Sequence, residues 1–391
     1  MSTPDKSDTA NMSVDIAKEF PWSGQDLIYL NAAATGPVPA RTAAELARWT
    51  RLRVEPWNIA LNEQLETLAT ARKLCAGLVG ADAGEIALIP NTSTGINIAA
   101  QILPMERDKV IVGYDGEFPA NVYPWMAMAR RGEARFEQLA LLPNGLPDWE
   151  ALPERLNRGD VGIVAISWVS FVSGDRANLE TIGAMCRERG IWFVVDAIQG
   201  VGTTPLDVHK CKIDILSCGA QKWLLSPWGS GFCYVRQDLV QNLEPRTIGW
   251  LAVQGSEDFS HMLEYDLTYT DDARKFEVAT IPYQDMAGMV SSLELFDDIG
   301  PEVISAKIHS LVNNLVSGIA NISTLKLVTP VDPARRAGIV SFKVDDVDAV
   351  SKRLDTNGVS HSVRAGGVLR IAPHIYNTDQ EMDRVLALLD G

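Results

Sequence analysis

Short apolar runs of strand type alternate with helical patterns over the first two thirds of the sequence, and this alternation narrows the choice of fold. The strand-like runs cover residues 85–89, 109–112, 161–166, 191–195, 213–217 and 231–235. Amphipathic stretches such as 65–79, 119–130 and 179–189 lie between them. Strands that alternate with helices form βαβ units, whose strands pair in parallel and are buried on both faces. The sequence therefore predicts an α/β fold around a mostly parallel sheet.

The pattern changes in the last third of the chain. Two long helical stretches, 284–296 and 301–319, come first. They are followed by strand-like runs at 337–344 and 367–371, by a helical pattern at 347–357 and by a final helix from Thr378. Mixed strands and helices of this kind predict a smaller α+β domain at the carboxyl end.

Length and charge limit the classes of function. The 391 residues suffice for a large domain and a smaller one, and the formal charge of −15 disfavours binding to nucleic acid or to anionic membranes. No apolar run has transmembrane length, and the polar first ten residues do not resemble a signal peptide. The five cysteines form no regular framework, so we expect reduced thiols and a cytoplasmic protein.

Lys222 and Asp196 together suggest the chemistry. Lys222 follows Gln221 between two apolar, strand-like segments, a setting in which an amine can lose its proton and condense with an aldehyde. Asp196 ends the apolar run 191–195, so it would lie at the carboxyl end of a buried strand, where open α/β sheets bind ligands. A carboxylate there can pair with a protonated pyridine nitrogen. The pair predicts pyridoxal 5′-phosphate (PLP), held as an aldimine of Lys222.

The segment around Lys222 resembles the PLP-attachment signature of the class V aminotransferase family. The matching features are Asp196, the small residues Gly219 and Ala220, Gln221 before the lysine, and the glycine turn at 229–231. That family includes cysteine desulfurases, isopenicillin-N-epimerase-like proteins and kynureninase-like enzymes. The resemblance implies a fold-type I PLP transferase with a seven-stranded sheet, a PLP-binding large domain over residues 30–285, and a small domain made of 1–29 and 286–391.

The segment 88–98 is the candidate phosphate site. It reads as a strand, a turn of small polar residues and a helix, which directs N–H groups, hydroxyls and the helix dipole to one point, although an ordinary helix cap would look the same. The resemblance assigns the phosphate to Thr92 and Ser93, with a further donor from Gln221. It also implies that Thr280 reaches the phosphate of a neighbouring subunit, so a homodimer with shared active sites is expected.

The resemblance also assigns residues around the cofactor ring. Phe118 stands where cysteine desulfurases usually carry a stacking histidine; it can shield the ring but cannot transfer a proton. Phe171 stands where relatives often place an asparagine near the phenolic oxygen of PLP. Ser170 or Gln199 could provide that contact instead.

Three residues are candidate contacts for an amino-acid substrate. Arg370 lies in an otherwise apolar strand and matches the family arginine that holds the substrate α-carboxylate, which a guanidinium binds in a bidentate way. Asn31 and Ala33, in a segment that resembles the substrate side of the family, are predicted to line the pocket. The predicted ligands are thus PLP and a small-molecule amino-acid substrate whose identity the sequence does not give, with no metal site.

These motifs identify the cofactor but not the reaction. In cysteine desulfurases a longer segment with a nucleophilic cysteine precedes the carboxylate arginine. Here only five residues separate Arg364 from Arg370, and no cysteine follows Cys233. Without a mobile thiolate to accept sulfur, desulfurase activity is not expected.

Transamination is the preferred prediction, because it needs only Lys222, Asp196 and Arg370. A C–S or other β-elimination lyase is an alternative that would need an acid for the leaving group. The candidate acids are His361, His374, Tyr283 and Ser360. An isopenicillin-N-epimerase-like reaction would need a second acid or base on the opposite face. A catalytically silent scaffold is a non-enzyme alternative, which the intact set of three residues disfavours.

Overall fold

A computed structural model describes residues 14–260 and 262–391. Residues 1–13 lie outside the described part. They include the first ten residues, which were predicted not to form a signal peptide, and the start of the predicted small domain. The strands are β1 (Ile28–Tyr29), β2 (Ile86–Leu88), β3 (Val110–Tyr114), β4 (Arg135–Leu139), β5 (Val161–Ser167), β6 (Trp192–Asp196), β7 (Ile215–Gly219), β8 (Gly231–Val235), β9 (Leu325–Leu327), β10 (Val340–Val344), β11 (Val359–Ser360), β12 (Ser362–Arg364) and β13 (Val368–Ile371).

Helices cover both faces of the larger sheet and the outside of the smaller one. They are α1 (Ile16–Glu19), α2 (Ala40–Val54), α3 (Leu61–Val79), α4 (Thr92–Ile102), α5 (Tyr123–Arg130), α6 (Ala151–Leu156), α7 (Leu179–Glu188), α8 (Gln237–Asn242), α9 (Tyr283–Ile299), α10 (Pro301–Ala320), α11 (Val347–Thr356) and α12 (Asp379–Asp390). Within the part of the chain that the structure describes, none of these helices combines the length and the apolar character needed to cross a membrane.

The larger sheet has seven strands in the order β2-β8-β7-β6-β5-β3-β4. Only β8 runs against its two neighbours, so the other four pairings are parallel. Apolar side chains on both faces of the central strands are buried, as the continuous apolar runs predict. The predicted α/β class with a mostly parallel seven-stranded sheet is confirmed.

Two elements differ from the prediction. β4 has no counterpart among the predicted strands, because its sequence is polar, and it pairs only with β3 at the edge of the sheet. The helical stretch predicted at 119–130 is divided into a short 3-10 helix, Pro119–Asn121, and α5. Pro124 lacks an N–H and is accommodated in the first turn of α5, which places the helix start after the break.

The topology brings several loops to one edge of the larger sheet. β3, β5, β6 and β7 run in parallel, and β2 has the same direction as β7 because both are antiparallel to β8. The carboxyl ends of these strands therefore lie along one edge. The residues that follow β2, β3, β5, β6 and β7 include Thr92, Phe118, Ser170, Gln199 and Lys222.

A second, antiparallel sheet has the order β12-β13-β10-β9, and β1 pairs in parallel with β11 nearby. Asn31 extends this connection through a bridge to Ala372. The N-terminal segment is thus tied to the C-terminal third of the chain. We propose on this basis that 1–29 and 286–391 form one domain and 30–285 the other.

Candidate active site

Lys222 lies three residues after β7, in a half-buried loop. Its Nζ is 5.4 Å from the centre of the Phe118 ring. Burial lowers the pKa of the amine from 10.5 to about 8; the nearby Asp196 carboxylate opposes this shift, and the charges of Arg370 and Arg364 add to it. A usable fraction of this amine is therefore unprotonated near neutral pH.

The backbone around Lys222 is held firmly by its neighbours. The N–H of Gly36 donates to the carbonyl of Gln221 at 2.8 Å, and a Cβ at Gly36 would lie 2.0 Å from the carbonyl oxygen of Lys222. Leu225 is fully buried with a φ of +53°, a strained conformation for leucine, and its carbonyl accepts the Ser292 hydroxyl at 2.9 Å. The position of the lysine is therefore fixed by packing on several sides.

Asp196 ends β6 and is only 2 % exposed. Among the described residues, the carboxylate of Asp196 accepts one hydrogen bond, from the N–H of Ile198 to Oδ1 at 3.1 Å. Burial raises the pKa of the carboxyl to about 6, against the opposing effects of that N–H and of Lys222. The second carboxylate oxygen, Oδ2, thus has no donor among the described residues, and a pyridine N–H would supply one.

The N-terminus of α4 lies next to the end of β7, close to Lys222 in the sequence. The side chain of Asn91 caps the helix by accepting the N–H of Thr94 at 3.0 Å. The Thr92 hydroxyl accepts the N–H of Gly219 at 2.9 Å, which ties the helix to the end of β7. A Cβ at Gly219 would lie 2.6 Å from Oε1 of Gln221 and 3.2 Å from Oγ1 of Thr92, so these two side chains converge there.

Ser93 follows Thr92 and is exposed at the start of the helix. Free N–H groups and hydroxyls at a helix N-terminus attract a phosphate dianion. The structure therefore brings Thr92 and Gln221 together, and Ser93 adjoins Thr92 at the helix N-terminus. The phosphate site itself stays a prediction.

Two phenyl rings cover one side of the site. Phe118 is 43 % exposed, and its ring meets that of Phe171 edge to face, with centres 5.3 Å apart. The two positions at which relatives were expected to carry polar groups are thus joined by an aromatic contact. Neither ring can transfer a proton.

Ser170 and Gln199 are partly engaged in holding the backbone. The Ser170 hydroxyl accepts the N–H groups of Val172 and Ser173 at 3.3 and 3.2 Å. The amide of Gln199 donates to the carbonyl of Ala33 at 3.0 Å, and its oxygen accepts the indole N–H of Trp223 at 2.8 Å. Each side chain keeps one donor for the predicted contact with PLP.

Glu117, next to Phe118, was not predicted as part of the site. Its carboxylate accepts the N–H of Ser167 at 2.7 Å and also the hydroxyl of the same residue. Burial raises the pKa of Glu117 to about 7, and the charge of Asp196 contributes to the increase. An acid three residues after a buried parallel strand was the available sequence signal.

Arg370 is 1 % exposed in β13. Its Nη1 donates to the carbonyl of Phe171 at 2.8 Å, while Nε and Nη2 are buried without a partner. Burial, together with the charge of Arg364, lowers the pKa of this guanidinium to about 9. A buried cation with two free donor positions is suited to a carboxylate ligand.

The two N-terminal candidates have different surroundings. Asn31 Oδ1 accepts the hydroxyl of Ser362 at 2.5 Å, and Ser362 is the strand partner of Arg370, so Asn31 lies beside the arginine. Ala33 is buried, and its carbonyl is occupied by Gln199. Asn31 thus suits a pocket-lining role better than Ala33, whose role here is to hold Gln199.

Of the four candidate acids for elimination, the structure engages the two histidines in other hydrogen bonds. His374 is fully buried: its Nε2–H donates to the carbonyl of Trp223 at 3.0 Å, and its Nδ1 accepts the N–H of Ile375 at 2.7 Å. Burial lowers its pKa to about 4, so it stays neutral. Both ring nitrogens of His361 are hydrogen-bonded, to Ser351 and to the carbonyl of Val359. Tyr283 opens α9 and Ser360 lies in β11.

Thr280 is exposed after Ala279 and has no hydrogen bond to the other site residues in the described part of the chain. An exposed position is compatible with a contact to a second subunit. That contact stays a prediction.

The unmatched groups fit the predicted cofactor. A buried amine, a carboxylate oxygen without a donor and a helix N-terminus correspond to the aldehyde, the pyridine nitrogen and the phosphate of PLP. Arg370 remains for the carboxylate of an amino acid. The residues present therefore fit PLP.

Comparison with known proteins agrees with this fit. The family model described as Aminotransferase class-V matches residues 28–385. Among curated relatives, a probable cysteine desulfurase of Pyrococcus abyssi is 26 % identical over 96 % of each chain. Isopenicillin N epimerase of Streptomyces clavuligerus is 27 % identical over 93 % of this chain and 94 % of its own.

Solved structures show the same fold. A variant of C-DES with glycine covalently linked to the PLP cofactor superposes with a TM-score of 0.86 at 23 % identity, over 97 % of this chain and 99 % of the other. The family match covers nearly the whole sequence, and the predicted resemblance is confirmed. The chain belongs to the class-V aminotransferase family and uses PLP as its cofactor.

Proposed function

We propose that this protein is an aminotransferase acting at the α-carbon of an α-amino acid. The observation that carries the proposal is the convergence of Lys222, Asp196 and Arg370 on one site, each with an unmatched charge or donor. Transamination needs no other proton carrier than the lysine.

The roles of the residues follow from their surroundings. When bound, PLP supplies an aldehyde for amines and a ring that withdraws electrons from the α-carbon. Asp196 holds the ring nitrogen in its charged form, and Arg370 fixes the substrate carboxylate by two hydrogen bonds. Lys222, with its lowered pKa, takes the proton from the α-carbon and can return it to a neighbouring atom.

A cysteine desulfurase reaction is not part of the proposal. It needs an accessible thiolate, and no cysteine follows Cys233 in the sequence. Cys75, Cys186, Cys218 and Cys233 are buried, and Cys211 is half-buried. Burial raises the pKa of each of these thiols, so none is suited to accept sulfur.

Two observations favour transamination over elimination and epimerisation. His374 cannot act as an acid because it is buried, neutral and doubly hydrogen-bonded. Two-base epimerisation would need a second proton carrier, and Phe118, whose ring centre lies 5.4 Å from Nζ of Lys222, cannot transfer a proton. Both reactions therefore serve as alternative outcomes of the test.

We further propose a homodimer in which Thr280 approaches the phosphate of the partner subunit. Support comes from large apolar side chains that are exposed between residues 248 and 278. They are Ile248, Trp250, Phe259, Met262, Leu263, Tyr265, Leu267 and Val278. Apolar exposure on this scale in one segment indicates an interaction surface.

Titration of the PLP-loaded protein with a panel of amino acids tests the reaction. We expect the visible absorbance of the lysine-bound cofactor to disappear with release of a keto acid and conversion of the cofactor to its amine form. Release of pyruvate with ammonia would instead indicate elimination, and exchange of the α-hydrogen with inversion would indicate epimerisation. A protein that takes up no PLP would support the scaffold alternative.

A further inference from the structure

Two arginines lie on the same face of the small antiparallel sheet. In the register of β12 and β13, Ser362 pairs with Arg370 and Arg364 pairs with Val368. Residues directly opposite each other share a face, as do residues two apart in one strand. Arg364 and Arg370 are therefore diagonal neighbours on one face, a separation of about 7–8 Å that long side chains can span.

Neither arginine has an acidic partner among the described residues. Nε of Arg364 is buried without a hydrogen bond, as are Nε and Nη2 of Arg370. No carboxylate in the described part of the chain raises the pKa of either guanidinium; burial lowers both. Most other buried or half-buried arginines of this protein do have acidic partners, as Arg72 has Glu277 and Arg155 has Glu137.

The pair faces the reaction centre. The charges of both arginines act on the Lys222 amine, and Arg370 also donates to the carbonyl of Phe171 beside the ring pair. Two like charges placed diagonally in a partly buried site repel each other unless anions lie between them. A ligand with one carboxylate would satisfy only Arg370.

We propose that the substrate is an acidic amino acid, whose α-carboxylate is bound by Arg370 and whose side-chain carboxylate is bound by Arg364. This inference rests on the proposed function and adds the substrate class to it. Arg364 is then a specificity-determining residue, since it contacts the part of the substrate that does not react. The two long side chains start from neighbouring positions, so their guanidinium groups can reach the two carboxylates of a four- or five-carbon diacid.

Binding of unreactive acids to the PLP-loaded protein tests this proposal without depending on turnover. Succinate and butyrate have the same number of carbons and differ in one carboxylate; glutarate and pentanoate form a second pair. A charge-assisted bidentate contact is expected to make each diacid bind about 10- to 100-fold more tightly than its matched monoacid. Calorimetric titration gives both dissociation constants.

Three variants separate the contributions of Arg364 and Arg370 to the binding of the acids. Arg364→Gln should reduce the affinity for succinate to that for butyrate and leave butyrate binding unchanged, whereas Arg364→Lys should keep part of the preference. Arg370→Gln should weaken both acids. Lys343→Gln is the matched control, because Lys343 is an exposed cation in the same cross-strand row, opposite Val368, and its loss should alter neither affinity.

Equal affinities for succinate and butyrate in the wild type would overturn the proposal, as would the absence of binding of either acid. An Arg364→Gln variant that is folded, judged by circular dichroism, and weakens butyrate as much as succinate would also contradict it. These results would contradict the acidic substrate only. The proposed aminotransferase function would still hold if the protein takes up PLP and converts other amino acids. Failure to take up PLP would refute the proposed function itself.

Discussion

The residues of this site are left with charges that the protein itself does not balance. Arg370 is buried without an acid, Asp196 has one oxygen without a donor, and burial disfavours the charged form of the Lys222 amine. Each of these arrangements lowers the stability of the ligand-free protein. Cofactor and substrate supply the missing partners. The same residues that destabilise the ligand-free protein therefore stabilise its complexes with cofactor and substrate.

The lowered pKa of Lys222 predicts how PLP uptake depends on pH. Only the neutral amine reacts with an aldehyde, so the uptake rate of the apoprotein should rise about tenfold between pH 7 and 9, as the amine with its pKa of about 8 loses its proton. Arg370→Gln removes a nearby positive charge and should move the profile to higher pH. Absorbance changes after mixing with PLP give the rates, and a flat profile over this range would contradict the assignment.

Asp196 should destabilise the apoprotein when it is ionised. Its pKa rises from 3.8 to about 6 on folding, so the cost is absent at low pH and grows as pH rises through this window. Asp196→Asn should therefore stabilise the apoprotein at pH 8 by up to about 3 kcal/mol, and by roughly half as much at pH 5.

Urea unfolding of both apoproteins at the two pH values measures this difference. The variant should also bind PLP more weakly, because the ring nitrogen loses its carboxylate. An apoprotein that is less stable than the wild type at pH 8 would show that Asp196 already has a satisfied partner.

At the scale of elements, the site depends on how closely α4 approaches β7. A Cβ at Gly95 would lie 2.3 Å from Oγ of Ser217, so only glycine permits this packing. Gly95→Ala should push the helix away, destabilise the protein by about 1–3 kcal/mol and weaken PLP binding, because the phosphate site is the N-terminus of the same helix.

Gly77→Ala is the matched control for this substitution. Gly77 also lies inside a helix, α3, but has open space around its Cβ position, so the change should stabilise the protein by about 0.5–1 kcal/mol. Urea unfolding and PLP titration of the two variants provide the comparison. Equal effects of the two substitutions would mean that the contact with Ser217 is unimportant.

The elements that sequence patterns predict best are the buried strands. The run 231–235 has the bounds of β8, because its apolar residues are continuous and glycine precedes them. β4 was missed since an edge strand with polar residues lacks that pattern. Lys222, Asp196 and Arg370 could be proposed as site residues from local sequence. The diagonal placement of Arg364 beside Arg370 and the burial of His374 depend on strand register and tertiary packing, which local sequence does not show.

At the scale of the whole molecule, the exposed apolar side chains of 248–278 predict self-association. Leu263 is 78 % exposed in this segment. Sedimentation should give about twice the chain mass of 42.7 kDa for the wild type, and Leu263→Glu should shift the equilibrium towards the monomer with weaker PLP retention. Val54→Glu, at a position 74 % exposed outside the segment, is the control and should leave the mass unchanged. A monomeric wild type would contradict the proposed shared site.

The most direct test of the account is the covalent attachment of the cofactor. The PLP-loaded protein is reduced with borohydride, digested and analysed by mass spectrometry, together with Lys222→Ala and the exposed-lysine control Lys343→Ala. We expect the phosphopyridoxyl group on residue 222 in the wild type and in Lys343→Ala, and on no residue in Lys222→Ala. A label on another lysine, or a label of equal yield in Lys222→Ala, would contradict the assignment of Lys222 as the residue that holds PLP.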